Sequence, residues 1–373
     1  MLQVRDFKDS VLVEIGDRFF RLDESPREIA AGINEDKETE WELAAPLTRE
    51  QIYPLLREAQ RRGFFVLLPP LDGALQDAVA REYGLPAQRL HLVPVRGNGA
   101  LEIVAERAAD LIVKLIREVA GTKERVHIGL GAGGTMTQVA QKLANRLRAL
   151  TDLPKLALHA LSSGFNVERP ETAPVSFFSC FHGVAPDLKC FGLFAPAMVA
   201  TADYEREIRR RGVAASFEEA DEIDIVVTAL AWQKDDDGEL RHYIEDKPEL
   251  KQMQDQGWVG DVLYRPFSEQ GPLRHEASVK AVSLFELDEL VERAQRKGKH
   301  VVLVAAPCAY CGERKGPALL PLLKRPELRV WSEVVMDIPT AEYVLAPPSK
   351  PSRARPTPSR RARQDRGRPE PSA

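Results

Sequence analysis

The chain has 373 residues, 44% of them hydrophobic and 29% charged, with a formal net charge of −4. This excludes a disordered or fibrous protein and leaves room for a substantial core, divided between two domains. No run of about 18 apolar residues occurs, and the start MLQVRDFKDS lacks the basic-then-apolar form of a signal peptide, so no membrane contact and a cytoplasmic location are expected.

Residues 1–70 read as a separate unit. Ser25-Pro26-Arg27-Glu28 is a helix start, Thr48-x-x-Gln51 is a capping box ahead of Ile52, Leu55 and Leu56, and residues 64–68 (FFVLL) read as a strand. Helix, helix, strand is the order of a winged helix-turn-helix, with Arg49, Arg57, Arg61 and Arg62 as the residues that would meet DNA. Opposing this, the unit holds ten Lys or Arg against fourteen Asp or Glu, and Pro54 falls inside the second helix.

A short linker helix is expected within residues 71–89, stopped by Gly84. Residues 90–95 read as a strand and 101–119 as a long amphipathic helix, with Ile103, Ala108, Leu111, Ile112, Leu115, Ile116 and Val119 on one face.

The next stretch organises the rest. Residues 126–130 are a buried strand, and from Met136 the residues Val139, Ala140, Leu143 and Leu147 recur at helical spacing. Between them stand Gly129, Gly131, Gly133 and Gly134, followed by Thr135. A glycine loop opening a helix can bring backbone N–H groups and a hydroxyl close to an anion, most often a phosphate. No acidic residue follows about 20 positions on after a second strand, and no Gly-Lys-Ser/Thr ends the loop, which argues against a nucleotide. A ligand-free tight turn remains the alternative.

Strands are expected at residues 155–161, 224–231, 300–306 and 328–335, and helices at 284–298 and 316–324, an alternation that predicts a parallel sheet covered on both faces. Ligands in such sheets bind beyond the carboxyl ends of the strands. That rule selects Ser162-Ser163-Gly164, then Trp232-Gln233-Lys234 with the acidic run Asp235 to Asp237, then the loop from Pro307 to Lys315, then Asp337-x-x-Thr340-Ala341. The segment GWVGDVL around Asp261 lies in a separate excursion.

The glycine loop with Thr135, the segment GWVGDVLYRPFSEQG, the strand-loop-Lys315 unit and Asp337-x-x-Thr340-Ala341 come in an order that resembles the sugar-binding domain of SorC-type transcriptional regulators. The resemblance spans residues 90–346 and implies a sugar-isomerase-like α/β effector domain behind a divergent winged helix-turn-helix. It further implies a phosphorylated sugar or similar small anion as ligand, DNA as a partner and a homo-oligomer; no cofactor is assigned. The implied ligand site comprises Gly131, Gly133, Gly134, Thr135, Ser162, Ser163, Gly164, Asp261, Lys315 and Asp337. Two departures stand out: Thr228-Ala229-Leu230-Ala231 replaces a glycine-rich turn, and the Pro307-to-Gly312 loop is longer. Loop amides and Thr135 would hold the phosphate, Lys315 would add a point charge, and Asp261 would accept hydroxyl hydrogen bonds. No catalytic residue is assigned, the alternatives being an isomerase with Asp261, Asp337 or Glu313 as base, or a ligand-binding module that meets a protein partner.

The four cysteines, Cys180, Cys190, Cys308 and Cys311, are too few for a disulfide framework. Cys308-x-x-Cys311 is half a zinc site, and Cys180 and Cys190, with His182 nearby, could complete it if the loops converged. Buried inert thiols are the plainer reading, and no metal is assigned. The four tryptophans read as packing residues, with Trp258 able to stack on a sugar. Residues 347–373 form a basic tail; from Lys350 on it carries eight Lys or Arg against two acids, and its Pro, Ser and Arg content predicts disorder.

Overall fold

The computed structural model describes residues 71–347, apart from residues 98, 151, 165, 167, 186, 236–237, 246 and 274–278, together with three strands near the N-terminus. These strands, β1 (Leu2–Phe7), β2 (Ser10–Ile15) and β3 (Arg18–Leu22), form an antiparallel sheet of consecutive hairpins. The sequence reading placed no strand there, although SVLVEI and RFFRL have the β-branched and aromatic content that strands favour. Arg49, Arg57, Arg61, Arg62, the helices and strand read around them, and the tail from residue 348 lie outside the described residues.

The remaining strands are β4 (Leu90–Val93), β5 (Arg125–Leu130), β6 (Lys155–Ala160), β7 (Lys189–Phe191), β8 (Met198–Ala200), β9 (Ile225–Trp232), β10 (Trp258–Val262), β11 (Arg265–Ser268), β12 (Gly271–Pro272), β13 (Val279–Ala281), β14 (His300–Ala305) and β15 (Glu333–Asp337). The main helices are α1 (Gly73–Tyr83), α2 (Ala100–Ala120), α3 (Gly134–Arg148), α4 (Glu239–Ile244), α5 (Pro248–Asp255), α6 (Leu287–Gln295), α7 (Gly316–Lys324) and α8 (Ile338–Leu345). The elements that periodicity predicts, α1, β4, α2, β5, α3, β6, β9, α6, β14, α7 and β15, are all present, whereas β7, β8, β10 to β13, α4, α5 and α8 go beyond it. One strand begins later than its apolar run suggests: Leu328, Val330 and Trp331 are buried, but Pro326 opens a 3₁₀ turn there and β15 starts only at Glu333.

Seven strands run parallel in the order β7-β6-β5-β9-β14-β15-β4. Their side chains divide strictly between two faces, because successive residues of a strand point to opposite sides. Ile128, Ile225, Val227, Val302, Val304 and Val335 pack with α2 and α3, whereas Val226, Val301, Leu303, Ala305, Val334 and Met336 pack under α1, α6, α7 and α8. The result is a three-layer α/β domain, as the alternation of elements predicted. Burying each Val, Leu or Ile contributes roughly 1.5–3 kcal/mol, and truncating one such as Leu303 to Ala would cost about 2–5 kcal/mol. The linker helix α1 is part of this packing: Val79 and Ala80 join the core, and the Tyr83 hydroxyl donates to the Val344 carbonyl.

At the amino ends of the strands, Asp224 ties three of them together. Its carboxylate accepts from the His127 amide at 3.0 Å and pairs with Lys123 at 2.8 Å and Lys299 at 3.1 Å. Burial opposes its charge, but these partners hold the carboxyl below its ordinary value.

Strand order decides where a ligand can enter. From β5 the chain moves outward through β6 to β7, and from β9 it moves the other way through β14 to β15. The crevice beyond the carboxyl ends of β5 and β9 is therefore the topological switch point. The segment around Asp261 is no separate excursion: β10 pairs antiparallel with residues 230–232 at the end of β9, and β11 and β12 continue that extension. An outlying segment of the sequence thus becomes a wall of the crevice.

Candidate ligand-binding site

The glycine loop after β5 forms the first wall. Gly133 has φ 106°, a left-handed value that a Cβ disfavours, and its N–H donates to the Thr172 carbonyl at 2.9 Å. Gly134 is needed for a different reason. A Cβ there would stand 2.7 Å from the Ala309 Cβ and 2.8 Å from the Tyr310 ring, so only glycine lets the 307–312 loop close over the start of α3. No side chain caps α3, and the first amides of a helix have no partner within it. Its N-terminus thus offers donors, and the positive end of the dipole, to the crevice.

A cavity opens at this point, lined by Gly133, Gly134 and Thr135 on one side and by Thr228 to Ala231 on another. Asp235, Glu239, Asp261 and Lys315 bring charge to it. Lys315 stands at the N-cap of α7, where the helix dipole opposes a cation, and its ammonium is bonded to Asp235. Asp235 also accepts from the Trp232 amide at 2.9 Å. Both members of the ion pair are buried.

Asp261, fully enclosed at the end of β10, has its carboxyl pushed up to about 7 by burial and then by the neighbouring charge of Asp235, against the pull of Lys315 and of the Tyr264 amide. Glu239 is likewise raised by burial, despite hydrogen bonds from Thr172 and Tyr264. Carboxyls raised in this way can donate a hydrogen bond as well as accept one.

Tyr264 owes its position to a strained turn. Leu263 and Tyr264 join β10 to β11 with φ values of 49° and 62°, the two positive angles of a type I′ hairpin loop, normally the place of Asn-Gly. Non-glycine residues persist there when the surroundings over-determine them. Leu263 is buried against the cavity, and the Tyr264 hydroxyl is held by Glu239.

Of the residues singled out from sequence, Gly131, Gly133, Gly134, Thr135, Asp261 and Lys315 converge here, Gly131 packing behind the wall with a Cβ position 2.8 Å from the Thr228 hydroxyl. Ser163, Gly164 and Asp337 are placed elsewhere, and Ser162 stands behind the wall with its side chain against the Tyr264 hydroxyl. Ser162 forms a bridge to Ser283, Ser163 donates its N–H to the Val282 carbonyl at 3.1 Å, and a Cβ on Gly164 would stand 2.3 Å from the Ala173 Cβ. Asp337 caps α8 by accepting from the Thr340 amide at 3.0 Å. Trp258 packs against Leu240, Ile244 and Met253 and donates to the Gly260 carbonyl at 3.0 Å, so it is a core residue.

Asp235 lies in a loop that the strand-end rule selects, but as one of three consecutive acids it is not singled out from the sequence. Glu239, Tyr264, Asn166, Thr172 and Tyr310 also line the cavity, and the Arg169 guanidinium lies 3.8 Å over the Tyr310 ring. Asn166, Tyr310 and Tyr264 lie in segments that the sequence marks, without being singled out there, whereas no local pattern marks Glu239 or Thr172. The cysteines are not uniformly buried, since Cys190 and Cys311 are exposed. Among the described residues, the set whose ligand atoms gather closely enough for a metal is Asp235, Cys308 and Cys311, within 4.8 Å of one another, and Cys180 and Cys190 do not join it.

Residues 72–346, well over half of the chain, match the Sugar-bind family, described as "Putative sugar-binding domain". The chain belongs to the Sugar-bind family. The full-length sorbitol operon regulator SorC from Klebsiella pneumoniae shares the fold, with TM-score 0.58 and 16% identity over 80% of this chain and 90% of that one. So do a DeoR family transcriptional regulator from Listeria monocytogenes, with TM-score 0.54, 18% identity and coverage of 73% and 98%, and a transcriptional regulator from Streptococcus pneumoniae, with TM-score 0.55, 17% identity and coverage of 73% and 95%. Comparison with curated proteins gives no match. The SorC-type resemblance read from residues 90–346 thus agrees with the Sugar-bind match and with the shared fold. No described helix is long and apolar enough to cross a membrane.

Proposed function

We propose that residues 72–346 are the effector domain of a transcriptional regulator and that the cavity at the β5–β9 switch point takes a phosphorylated sugar. The observation that carries this is the uncapped N-terminus of α3 opening onto a cavity whose other walls hold carboxyls and hydroxyls. A phosphate would sit on the amides of Gly134 and Thr135, where helix and loop donors favour an anion. Sugar hydroxyls would meet Asp261, Glu239 and Asn166, and raised carboxyls can serve them as donor or acceptor. Lys315 supports this arrangement indirectly, because its charge is answered by Asp235 and it acts through that partner.

Family membership and the regulators that share the fold support the same reading. DNA contact by residues 1–70, through Arg49, Arg57, Arg61 and Arg62, and homo-oligomer formation complete the proposal. Its test is fluorescence anisotropy of the full-length protein on its own upstream DNA over a salt series, with and without a panel of sugar phosphates. Specific binding that needs residues 1–70 and shifts with one sugar phosphate is expected. Binding that needs only residues 348–373, or that no member of the panel moves, would sink the regulator reading.

A further inference from the structure

The loop Cys308-Ala309-Tyr310-Cys311-Gly312 has no role in the effector reading beyond covering the cavity. It is nevertheless built in a specific way. The Cys308 N–H donates to the Glu313 carbonyl at 2.9 Å, the Gly312 N–H donates to the Cys308 carbonyl at 3.1 Å, and Gly312 has φ 72°, so the chain reverses between the two cysteines. The backbone N–H groups of Tyr310 and Cys311 point at the Cys308 sulfur. Burial pushes the Cys308 thiol up; the Lys315 charge and these two amides pull the other way, towards the thiolate, without overcoming it.

Across from this loop stands Asp235. One of its oxygens, Oδ2, is occupied by the Trp232 amide and Lys315, while Oδ1 is buried and has no partner. A buried carboxylate oxygen left unmatched is costly, and a cation is the simplest thing that would satisfy it. A disulfide between Cys308 and Cys311 would not. Two sulfurs and one carboxylate oxygen already lie within 4.8 Å of one another, against about 3.5–4 Å for ligands around a tetrahedral zinc, so only a small closure is needed.

We propose that Cys308, Cys311 and Asp235 bind a zinc ion through two thiolates and one carboxylate oxygen, with a fourth position open to the cavity. Thiolates select a borderline-soft ion over magnesium or calcium. Two thiol protons leave as the metal enters. The zinc and the Lys315 ammonium then balance the two thiolates and the carboxylate, so the assembled site is neutral. Lys315 becomes the group that orients a metal ligand from behind. Cys308, Asp235 and Lys315 all line the cavity, so a water or a ligand oxygen can fill the open position. The zinc site stands without the effector reading; only its occupation by a sugar or phosphate oxygen rests on it.

The test uses full-length protein, stripped with a chelator and kept reduced and anaerobic, titrated with Co²⁺ and then with Zn²⁺ against a chromophoric competitor. One equivalent of Co²⁺ with thiolate charge-transfer absorption and tetrahedral ligand-field bands is expected, displaced by Zn²⁺. Cys311→Ser, on an exposed loop residue, should weaken zinc by more than the roughly 10–100-fold that loss of an orienting partner costs, and Cys308→Ser likewise. Cys190→Ser, on the far edge of the sheet, should leave the titration unchanged. Circular dichroism of each variant separates loss of metal from loss of fold. Absence of the thiolate band in folded wild-type protein, or equal zinc affinity in Cys311→Ser, overturns the site. Inorganic phosphate added to the Co²⁺ form should move the ligand-field bands. Unmoved bands overturn the open position, while sugar-phosphate binding by the metal-free protein, measured in parallel by calorimetry, reports the effector reading separately.

Discussion

Lys315 and Asp235 are 80 positions apart in the chain, yet their side chains form a buried ion pair beside the cavity. Removing one member leaves the other charged, desolvated and alone, which costs about 3–5 kcal/mol. Lys315→Ala should therefore lower stability by that order in urea denaturation, beyond any effect on ligand affinity. The pair Lys315→Met with Asp235→Asn should recover most of the loss. A Lys315→Ala protein of wild-type stability that had only lost affinity would show the ammonium to be free for ligand.

Gly134→Ala probes the approach of the 307–312 loop to α3. Alanine suits a helix better than glycine by about 1 kcal/mol, but here its Cβ would meet the Ala309 Cβ at 2.7 Å, and overpacking of this kind costs about 1–3 kcal/mol. The variant should be destabilised by up to about 2 kcal/mol net and should lose sugar-phosphate affinity as the loop lifts. Calorimetric melting and ligand titration measure the two effects separately, and a variant as stable as wild type with unaltered affinity would remove the loop from the site.

Tyr264→Phe removes one of the two hydrogen-bond donors to Glu239, leaving Thr172. Leaving a buried acceptor short of a partner costs about 1–3 kcal/mol. Chemical denaturation should show a loss in that range. An unchanged midpoint would mean that the hydroxyl does not hold Tyr264 in its strained turn.

His159 gives a pH dependence of known sign. It is enclosed between β5 and the β7 edge, 3.0 Å from His127 and stacked on Phe191, and burial followed by the neighbouring His127 lowers its pKa from 6.5 to about 3. The folded state keeps the ring neutral while the unfolded chain protonates it. Its stabilisation is therefore complete above about pH 6.5 and falls as the pH drops towards 3, by roughly 4–5 kcal/mol at most at about 1.4 kcal/mol per unit. Denaturation midpoints measured from pH 4 to 8 should rise with pH and level off near 7. His159→Phe should flatten that slope, and a slope unchanged in the variant would assign the dependence to other groups.

How much of this was written locally? The long helices and the central strands of the parallel sheet came from spacing alone, because burial on one face imposes a period that the chain displays, whereas short elements such as β7, β8, α4 and α5 span too few residues to show one. Gly133 and Gly134 were legible for the same reason: a positive φ and a close approach each demand glycine at the residue concerned. Membership in the Sugar-bind family was likewise anticipated from ordered motifs between residues 90 and 346.

What only the tertiary structure decided is which loop ends meet. Strand order is set by pairing between distant segments, so the switch point at β5 and β9 cannot be read from either strand. Asp261 entered the cavity because β10 pairs with the end of β9, and Asp235 because it answers a lysine 80 positions on. Ser162 and Ser163 had the right chemistry for a sugar, but a strand near Val282 and Ser283 claimed their backbone instead. Asp337 was claimed by the amide of its own helix, since an uncapped helix start competes for any nearby carboxylate. Residue type settles what a side chain can do; the partner that desolvates it or satisfies it settles what it does.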